Sequence, residues 1–155
     1  MNNSRVGHKT SNKYKGAIAH HPALTVDDLR KLCSHEFVLN VNVPQGLLNK
    51  VVFEIMFYIC RKGQENLHNL RVQDFEIVNS NEQKYVKKVR SELTKNHQGT
   101  TNETEGTGRM YATYSVLCHV KSFEKYLSKR HAGSDRLFLL SKNNFSDNDP
   151  VWYRN

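Results

Sequence analysis

Two cations lie directly after a strongly apolar stretch of this sequence, and that position suits them to phosphate chemistry. Residues 53–60 are mostly apolar, Arg61 and Lys62 follow them, and Gly63 comes next. A buried helix over the apolar residues would present Arg61 at its C-terminal end. Because a guanidinium can neutralise phosphate charge, we expect a phosphate contact there. The alternative is an arginine that contacts only carbonyl groups and water.

More cations follow in a predicted strand and in the polar loop after it. They are Lys84 directly before the strand, Lys87, Lys88 and Arg90 within it, and Lys95 and His97 near the start of the loop. The strand lysines are expected to line an edge that faces water or a ligand. Contact with DNA phosphates and a solvated strand face are both compatible with this pattern. A ligand role for His97 stays open beside a solvated one.

The composition favours one domain with an anionic partner. The chain has 155 residues and a formal net charge of +8, and a basic balance favours nucleic acid, although solubility alone would also explain it. The hydrophobic share of 37% is low for a compact domain, so part of the chain lacks a packed structure or the domain is incomplete. No apolar run reaches membrane-spanning length, and we expect no membrane partner.

Neither the cysteines nor the histidines form a metal-binding pattern. The three cysteines are Cys33, Cys60 and Cys118. Their wide spacing predicts reduced thiols in a cytosolic or nuclear protein. A zinc site would need to combine Cys33 with His35, His20 and His21, and this spacing fits no four-ligand frame. We expect no metal and no other cofactor.

The elements that position the cations begin after a basic arm. Residues 1–24 contain four cations and no acid, and we expect them to form a flexible arm. Thr25 can cap a helix whose first turn holds two acids. Pro44 begins a long helix that runs to about Arg61, and a short helix follows over residues 65–70. All residues of the long helix are expected to be core without a further role.

Three strands and one more helix complete the predicted fold. The strands are expected at residues 72–78, 85–93 and 110–116, and the helix at residues 119–130. Trp152 and Tyr153 lie near the end, where no predicted element remains for them to pack on. The sequence therefore predicts an α+β fold over residues 25–155, mainly helical, with a small three-stranded antiparallel sheet.

The order of these elements resembles the first half of the catalytic domain of tyrosine recombinases. Four stretches are similar, more narrowly, to the Crypton-derived recombinase domain found in zinc finger MYM-type proteins and related glutamine-rich proteins. They are residues 47–56 (LLNKVVFEIM), 60–67 (CRKGQENL), 94–99 (TKNHQG) and 150–153 (PVWY). The resemblance covers roughly residues 20–155. Several matches in the right order make it more specific than any one of them alone.

The resemblance implies DNA strand cleavage and rejoining through a phosphotyrosine. In such enzymes a tyrosine attacks the phosphodiester, arginines neutralise the developing charge, and a loop lysine protonates the leaving oxygen. Arg61 matches the first arginine, with Lys62 as an alternative one residue away, and Lys95 matches the loop lysine. Glu65 matches the acid that orients the first arginine, at a spacing one residue longer than usual. Pairing of Glu65 with Lys62 is the alternative.

The chain departs from the family pattern after Lys95. The pattern continues with a His/Lys-x-x-Arg motif and the nucleophilic tyrosine. No His-x-x-Arg follows Lys95, Tyr153 belongs to a different motif, and the sequence ends at Asn155. We therefore expect a truncated recombinase-like domain whose tyrosine-recombinase catalytic fold is incomplete. Because the nucleophile must lie beside its charge stabilisers, we expect that this chain does not cleave DNA by itself.

The resulting expectation is a nuclear, transposon-derived DNA-binding remnant of a recombinase or integrase. Its expected DNA contacts are Arg61, Lys62, Lys84, Lys87, Lys88, Arg90, Lys95 and His97. One alternative is a protein-interaction module in a nuclear transcription-associated complex, based on an exposed Trp152-Tyr153 end. The other is a non-functional fragment of a transposon-derived gene, which would fold poorly.

Overall fold

The computed structural model describes residues 23–59, 67–89 and 108–155. These residues form three α-helices, which are α1 (Val26–Ser34), α2 (Pro44–Tyr58) and α3 (His119–Ser128). Helices α2 and α3 pack on each other and on a small antiparallel sheet. The α+β class predicted from the sequence is confirmed. None of the helices that the structure describes is long and apolar enough to cross a membrane.

Helix α1 begins as the sequence predicted but remains superficial. The N–H of Asp28 donates to Thr25 Oγ1 at 3.1 Å, and the N–H of Thr25 donates to the Asp28 carboxylate at 2.9 Å. This reciprocal capping box satisfies two of the free N–H groups at the helix start. None of the nine residues of α1 is buried. The helix therefore covers the domain without contributing a fully buried side chain.

Helix α2 supplies the central part of the core. Leu47, Val51 and Ile55 are at most 1% exposed and recur at helical spacing along one face. A Cβ on Gly46 would stand 2.3 Å from the carbonyl oxygen of Asn40, so the first turn lies directly against the preceding loop. The α-helical conformation ends at Tyr58, and the predicted continuation to Arg61 extends beyond the described residues.

A three-stranded sheet packs against α2 and α3. It consists of β1 (Phe75–Asn79), β2 (Lys84–Lys88) and β3 (Arg109–Tyr111), all antiparallel, in the order β1-β2-β3. Val86 and Met110 are opposite each other and fully buried. One face of the sheet therefore lies on the core, and the side chains that alternate with these two lie on the other face.

The strands are shorter than the alternation of residue types predicted. The first of them was predicted to start at residue 72, but Val72–Asp74 is a 3-10 turn and β1 begins only at Phe75. The third was predicted to extend to residue 116, but β3 ends at Tyr111. Leu67–Asn69 is likewise a 3-10 turn rather than part of a helix over residues 65–70.

The end of the described chain is part of the core, which corrects the prediction of an unpartnered aromatic pair. Two short strands, β4 (Leu140–Ser141) and β5 (Tyr153–Arg154), pair antiparallel. Trp152 is 1% exposed and Tyr153 is fully buried. The aromatic pair packs within the same domain, so the argument for a partner based on their exposure was wrong.

Candidate functional site

Six of the cations and acids predicted to contact DNA or to act in catalysis lie outside the described residues. They are Arg61, Lys62, Glu65, Arg90, Lys95 and His97. Their proposed roles remain predictions. The described part of the chain contains the three remaining candidates, Lys84, Lys87 and Lys88, all on β2.

The lysines of β2 are divided between the two faces of the sheet. Lys84 lies on the side of α3 and forms an ion pair with Glu124. Lys87 lies on the opposite side and pairs with Glu76 of β1 at 3.2 Å. Lys88 is half-buried at the end of the strand. The sequence had suggested that the three lysines line one cationic edge, and the structure does not show this arrangement. Of the three, Lys87 lies on the face of the sheet that points away from the core.

The side of the sheet that faces away from the core combines cations with aromatic rings. We call it the outer sheet face and define it by Tyr85, Lys87, Arg109 and Tyr111. Lys87 is directly opposite Arg109, and Tyr85 is directly opposite Tyr111. The Arg109 guanidinium lies 5.1 Å from the centre of the Tyr85 ring, and the two tyrosine rings are 5.3 Å apart. Cations, hydroxyl groups and flat rings therefore share one small surface.

Two stretches of chain outside the described residues begin and end beside each other. Residues 60–66 follow Ile59, and residues 90–107 precede Gly108. A Cβ on Gly108 would stand 1.8 Å from the carbonyl oxygen of Tyr58 and 3.0 Å from Ile59 Cα. Only glycine fits so close an approach of two backbones. The last described residues before the segment that contains Arg61 therefore contact the first described residue after the segment that contains Lys95.

A cluster of buried and half-buried polar side chains lies between α2 and α3, and we call it the Glu54 cluster. It consists of Lys50, Glu54, Tyr58 and His119. Lys50 and Glu54, one helical turn apart, form an ion pair in which the side chains are only 4% and 3% exposed. His119 Nδ1 lies 2.7 Å from the same Glu54 oxygen, Oε1. Glu54 Oε2 is buried and has no hydrogen-bond partner among the described residues.

The hydrogen bonds of the cluster set the direction of its protons. An ionised carboxylate only accepts, so Nδ1 of His119 carries the hydrogen that faces Glu54. In the neutral imidazole, Nε2 is then an acceptor, and the Tyr58 hydroxyl donates to it at 3.2 Å. Burial, together with the charge of Glu54, raises the pKa of Tyr58 and keeps its phenol protonated. The carboxylate thus orients His119, which in turn orients Tyr58.

A cavity of about 150 Å³ lies beside the Glu54 cluster. Besides the four cluster residues, its lining consists of apolar side chains from α1, α2 and the loops next to them. They are Leu29, Cys33, Leu39, Phe53, Phe57 and Leu117. An apolar cavity that borders a buried carboxylate is a common arrangement in sites that bind small molecules.

Sequence reasoning missed this cluster because the residues of α2 were treated as core without a further role. A signal was present, since Glu54 lies on the same helical face as Leu47 and Val51, seven and three residues earlier. An acid in the middle of an apolar stripe needs a buried partner, and Lys50 at the i−4 position supplies one. No comparable signal pointed to His119, which is 65 residues away from Glu54.

The described residues contain no group of three or more His, Cys, Asp or Glu side chains that could hold a metal ion. Cys33 and Cys118 are free thiols, the first exposed and the second buried. Comparison with known proteins gives no further assignment. No family model, no curated protein and no solved structure matches the chain.

Proposed function

We propose that the protein binds DNA through contacts with the phosphate backbone, and that the outer sheet face is part of the interface. The observation that supports this most directly is the pairing of Lys87 with Arg109 across β2 and β3. Like charges at directly opposite positions of a sheet repel each other. Glu76, which pairs with Lys87 at 3.2 Å on the same face, balances one of the two cations and leaves the charge of the other. A phosphate placed over both of them would remove this repulsion, and Tyr85 and Tyr111 offer hydroxyl groups for further phosphate contacts.

Two further features support the proposal. The net charge of +8 favours association with polyanions. Gly108 contacts Tyr58 and Ile59, so the described residues that adjoin two cation-bearing segments, residues 60–66 and 90–107, lie together. One segment contains Arg61 and the other contains Lys95, the two residues matched to the recombinase pattern. Kinship with tyrosine recombinases and a nuclear location are parts of the same proposal.

Binding is tested by fluorescence anisotropy of a labelled duplex across a range of salt concentrations. Electrostatic binding predicts an affinity that falls steeply with salt. Neutralising Arg109 or Lys87 (R109Q or K87Q) should lower the slope of log affinity against log salt by about one. The control is Arg154→Gln, because Arg154 is exposed in the other sheet. Absence of binding at low salt, or equal effects of all three variants, would contradict the proposal.

Cleavage is assayed separately from binding. The expectation from the sequence is binding without a covalent intermediate, so a suicide DNA substrate should give no protein–DNA adduct on a denaturing gel. An adduct that disappears when one tyrosine is changed to phenylalanine would show that the chain cleaves DNA. In that case the binding proposal would stand and the expectation about catalysis would be wrong.

A second candidate function is a protein-interaction module, now supported by a different surface from the one first considered. Tyr114 and Val116, in the loop between β3 and α3, are 106% and 95% exposed. Exposed apolar side chains that are grouped in one loop are typical of binding sites for other proteins. Pull-downs with and without nuclease distinguish the two functions. Partners that survive nuclease and are lost in the Tyr114→Ser/Val116→Ser variant would favour this candidate over DNA binding.

A further inference from the structure

We propose that the outer sheet face binds single-stranded DNA, with one unpaired base stacked on the ring of Tyr111. The inference rests on the proposed function, since it names the form of DNA that the same surface takes. Sequence-independent binding of single strands combines cations that contact the backbone with aromatic rings on which bases stack. Both components lie on the outer sheet face, in two adjacent rows of residues.

Tyr111 is the ring that offers the stacking surface. It is 40% exposed, whereas Tyr85, directly opposite, is half-buried. Two contacts hold Tyr111 in place, because its ring centre lies 5.3 Å from that of Tyr85 and Arg109 Nη1 donates to its hydroxyl at 3.5 Å. A side chain that is ordered before binding loses little further conformational entropy when a base stacks on it. The face therefore presents a positioned ring.

The row next to the tyrosines carries the charge that a phosphate needs. Lys87 and Arg109 lie opposite each other, and Glu76 pairs with Lys87 at 3.2 Å, so this row retains the charge of one cation. Residues two positions apart on a strand are separated by about 7 Å, which lies within the span of one nucleotide. A strand with a base on Tyr111 can thus place a phosphate over the cations.

A duplex cannot use the ring in this way. Its bases stack on one another, so their faces are covered unless the stack is opened. The major groove admits an α-helix or a two-stranded ribbon, whereas the sheet that carries the outer sheet face is three strands wide and is backed by α2 and α3. The face therefore meets a duplex at its phosphates alone, and an unpaired strand adds the stacking contact.

The first experiment compares three labelled probes on the full chain by fluorescence anisotropy at one salt concentration. They are a short oligo-dT strand, an abasic strand with the same number of phosphates, and a duplex of the same length. Stacking of a base on an aromatic ring corresponds to roughly a 5- to 150-fold gain in affinity. The oligo-dT strand should therefore bind tighter than the abasic strand by a factor in that range.

Substitutions at one position separate the ring of Tyr111 from its hydroxyl. Tyr111→Phe should keep the ratio of the two single-strand affinities, because the ring remains. Tyr111→Leu should weaken oligo-dT binding about fivefold or more and leave the affinity for the duplex unchanged. The matched control is Tyr114→Leu, since Tyr114 is fully exposed but lines a cavity with Lys84 and Glu124 on the α3 side of the sheet. This control should bind all three probes as the wild type does.

Two further readouts distinguish stacking from charge. Lys87→Gln should lower the slope of log affinity against log salt by about 0.7 for a single strand. Tyr111→Leu should leave that slope unchanged, because it removes no charge. Irradiation of a strand that carries iodouracil in place of thymine should give a cross-linked peptide that contains Tyr111.

The inference is overturned if oligo-dT and the abasic strand bind equally well, if Tyr111→Phe loses as much affinity as Tyr111→Leu, or if Tyr114→Leu matches Tyr111→Leu. Duplex binding with a lower salt slope in Lys87→Gln would then leave the proposed function standing. Absence of binding to all three probes at low salt would overturn both. An oligo-U strand that binds tighter than oligo-dT would assign the face to RNA and contradict the commitment to DNA.

Discussion

The core contains two regions of buried polar side chains, and they differ in how completely their hydrogen bonds are formed. The first, the aromatic region, is defined by Tyr126, Trp152 and Tyr153. The hydroxyls of Tyr126 and Tyr153 donate to the carbonyl groups of Leu137 and Pro44 at 2.8 and 2.7 Å. The Trp152 indole N–H donates to a main-chain carbonyl at 3.1 Å. Every side-chain polar atom of this region has a partner.

The second region is the Glu54 cluster, which lies at the other end of α2. There two donors, on Lys50 and His119, share one oxygen of Glu54, while the other oxygen is buried without a partner. The aromatic region thus stabilises the fold, whereas the cluster leaves part of its bonding capacity unused. Buried groups of the second kind are uncommon in native proteins, and a role in function is one of the recognised reasons for keeping them.

The largest expected effect is the loss of Trp152. Its ring is buried against Phe145 and lies beneath the ammonium groups of Lys125 and Lys129, which are 5.2 and 4.9 Å from its centre. Trp152→Ala should lower the free energy of unfolding by about 3–5 kcal/mol, because a large cavity replaces the ring. Urea denaturation measures this, with Leu140→Ala, at an exposed position, as the control. A change below about 1 kcal/mol would show that the aromatic region does not stabilise the fold.

The next effect tests whether the Glu54 cluster stabilises the fold or serves another role. Lys50→Met should destabilise by about 3 kcal/mol, since Glu54 then keeps His119 as its partner but loses the buried cation. The double variant Lys50→Met/Glu54→Leu should recover most of this loss, because an apolar pair needs no desolvation of charge. Urea denaturation of the wild type and the two variants measures these differences in the free energy of unfolding. A double variant less stable than Lys50→Met would show that the charges are retained for stability.

Local patterns in the sequence predicted the elements but not the long-range contacts. The capping residues of α1 and the apolar stripe of α2 follow from residue types within one or two helical turns. The burial of Tyr153 depends on its hydrogen bond to Pro44, 109 residues away, and no local pattern carries that information. For the same reason the pairing of the two-residue strands β4 and β5 was not predicted.

The candidate site was predictable in part. The cations Lys84 and Lys87 were found from the sequence, but they lie on opposite faces of β2, because they are an odd number of residues apart along the strand. Arg109 was not singled out, since a lone arginine after a polar loop has no distinctive pattern. Its position on the outer sheet face follows only from the register of β2 with β3.

Alkaline pH gives a smaller and more specific effect on the aromatic region. Burial raises the pKa of both Tyr126 and Tyr153, so these phenols keep their protons in the folded state. In the unfolded chain a tyrosine ionises near pH 10. The unfolded state therefore binds fewer protons above that pH, and the stability fully present below it is lost as pH rises, by about 1.4 kcal/mol per pH unit for each tyrosine.

Unfolding free energies measured from pH 8 to pH 11.5 check this prediction. Tyr153→Phe should reduce the slope above pH 10 by the contribution of one group. The slopes are compared rather than the stabilities themselves, because the variant also loses the hydrogen bond to Pro44. An unchanged slope in Tyr153→Phe would mean that this phenol ionises equally well in the folded and unfolded states.

The smallest effect on stability is expected for Lys87, which belongs to the proposed DNA interface and to neither of the two buried regions. Lys87 and Glu76 are 34% and 52% exposed, and ion pairs so accessible to water contribute about 0–1 kcal/mol. Lys87→Gln should therefore change the free energy of unfolding by less than about 0.5 kcal/mol, because it also removes the repulsion from Arg109 across the strands. A loss of stability comparable to that of Lys50→Met would make Lys87 a structural residue. A near-neutral variant with weakened DNA binding would show instead that the outer sheet face keeps its paired cations for a partner outside the fold.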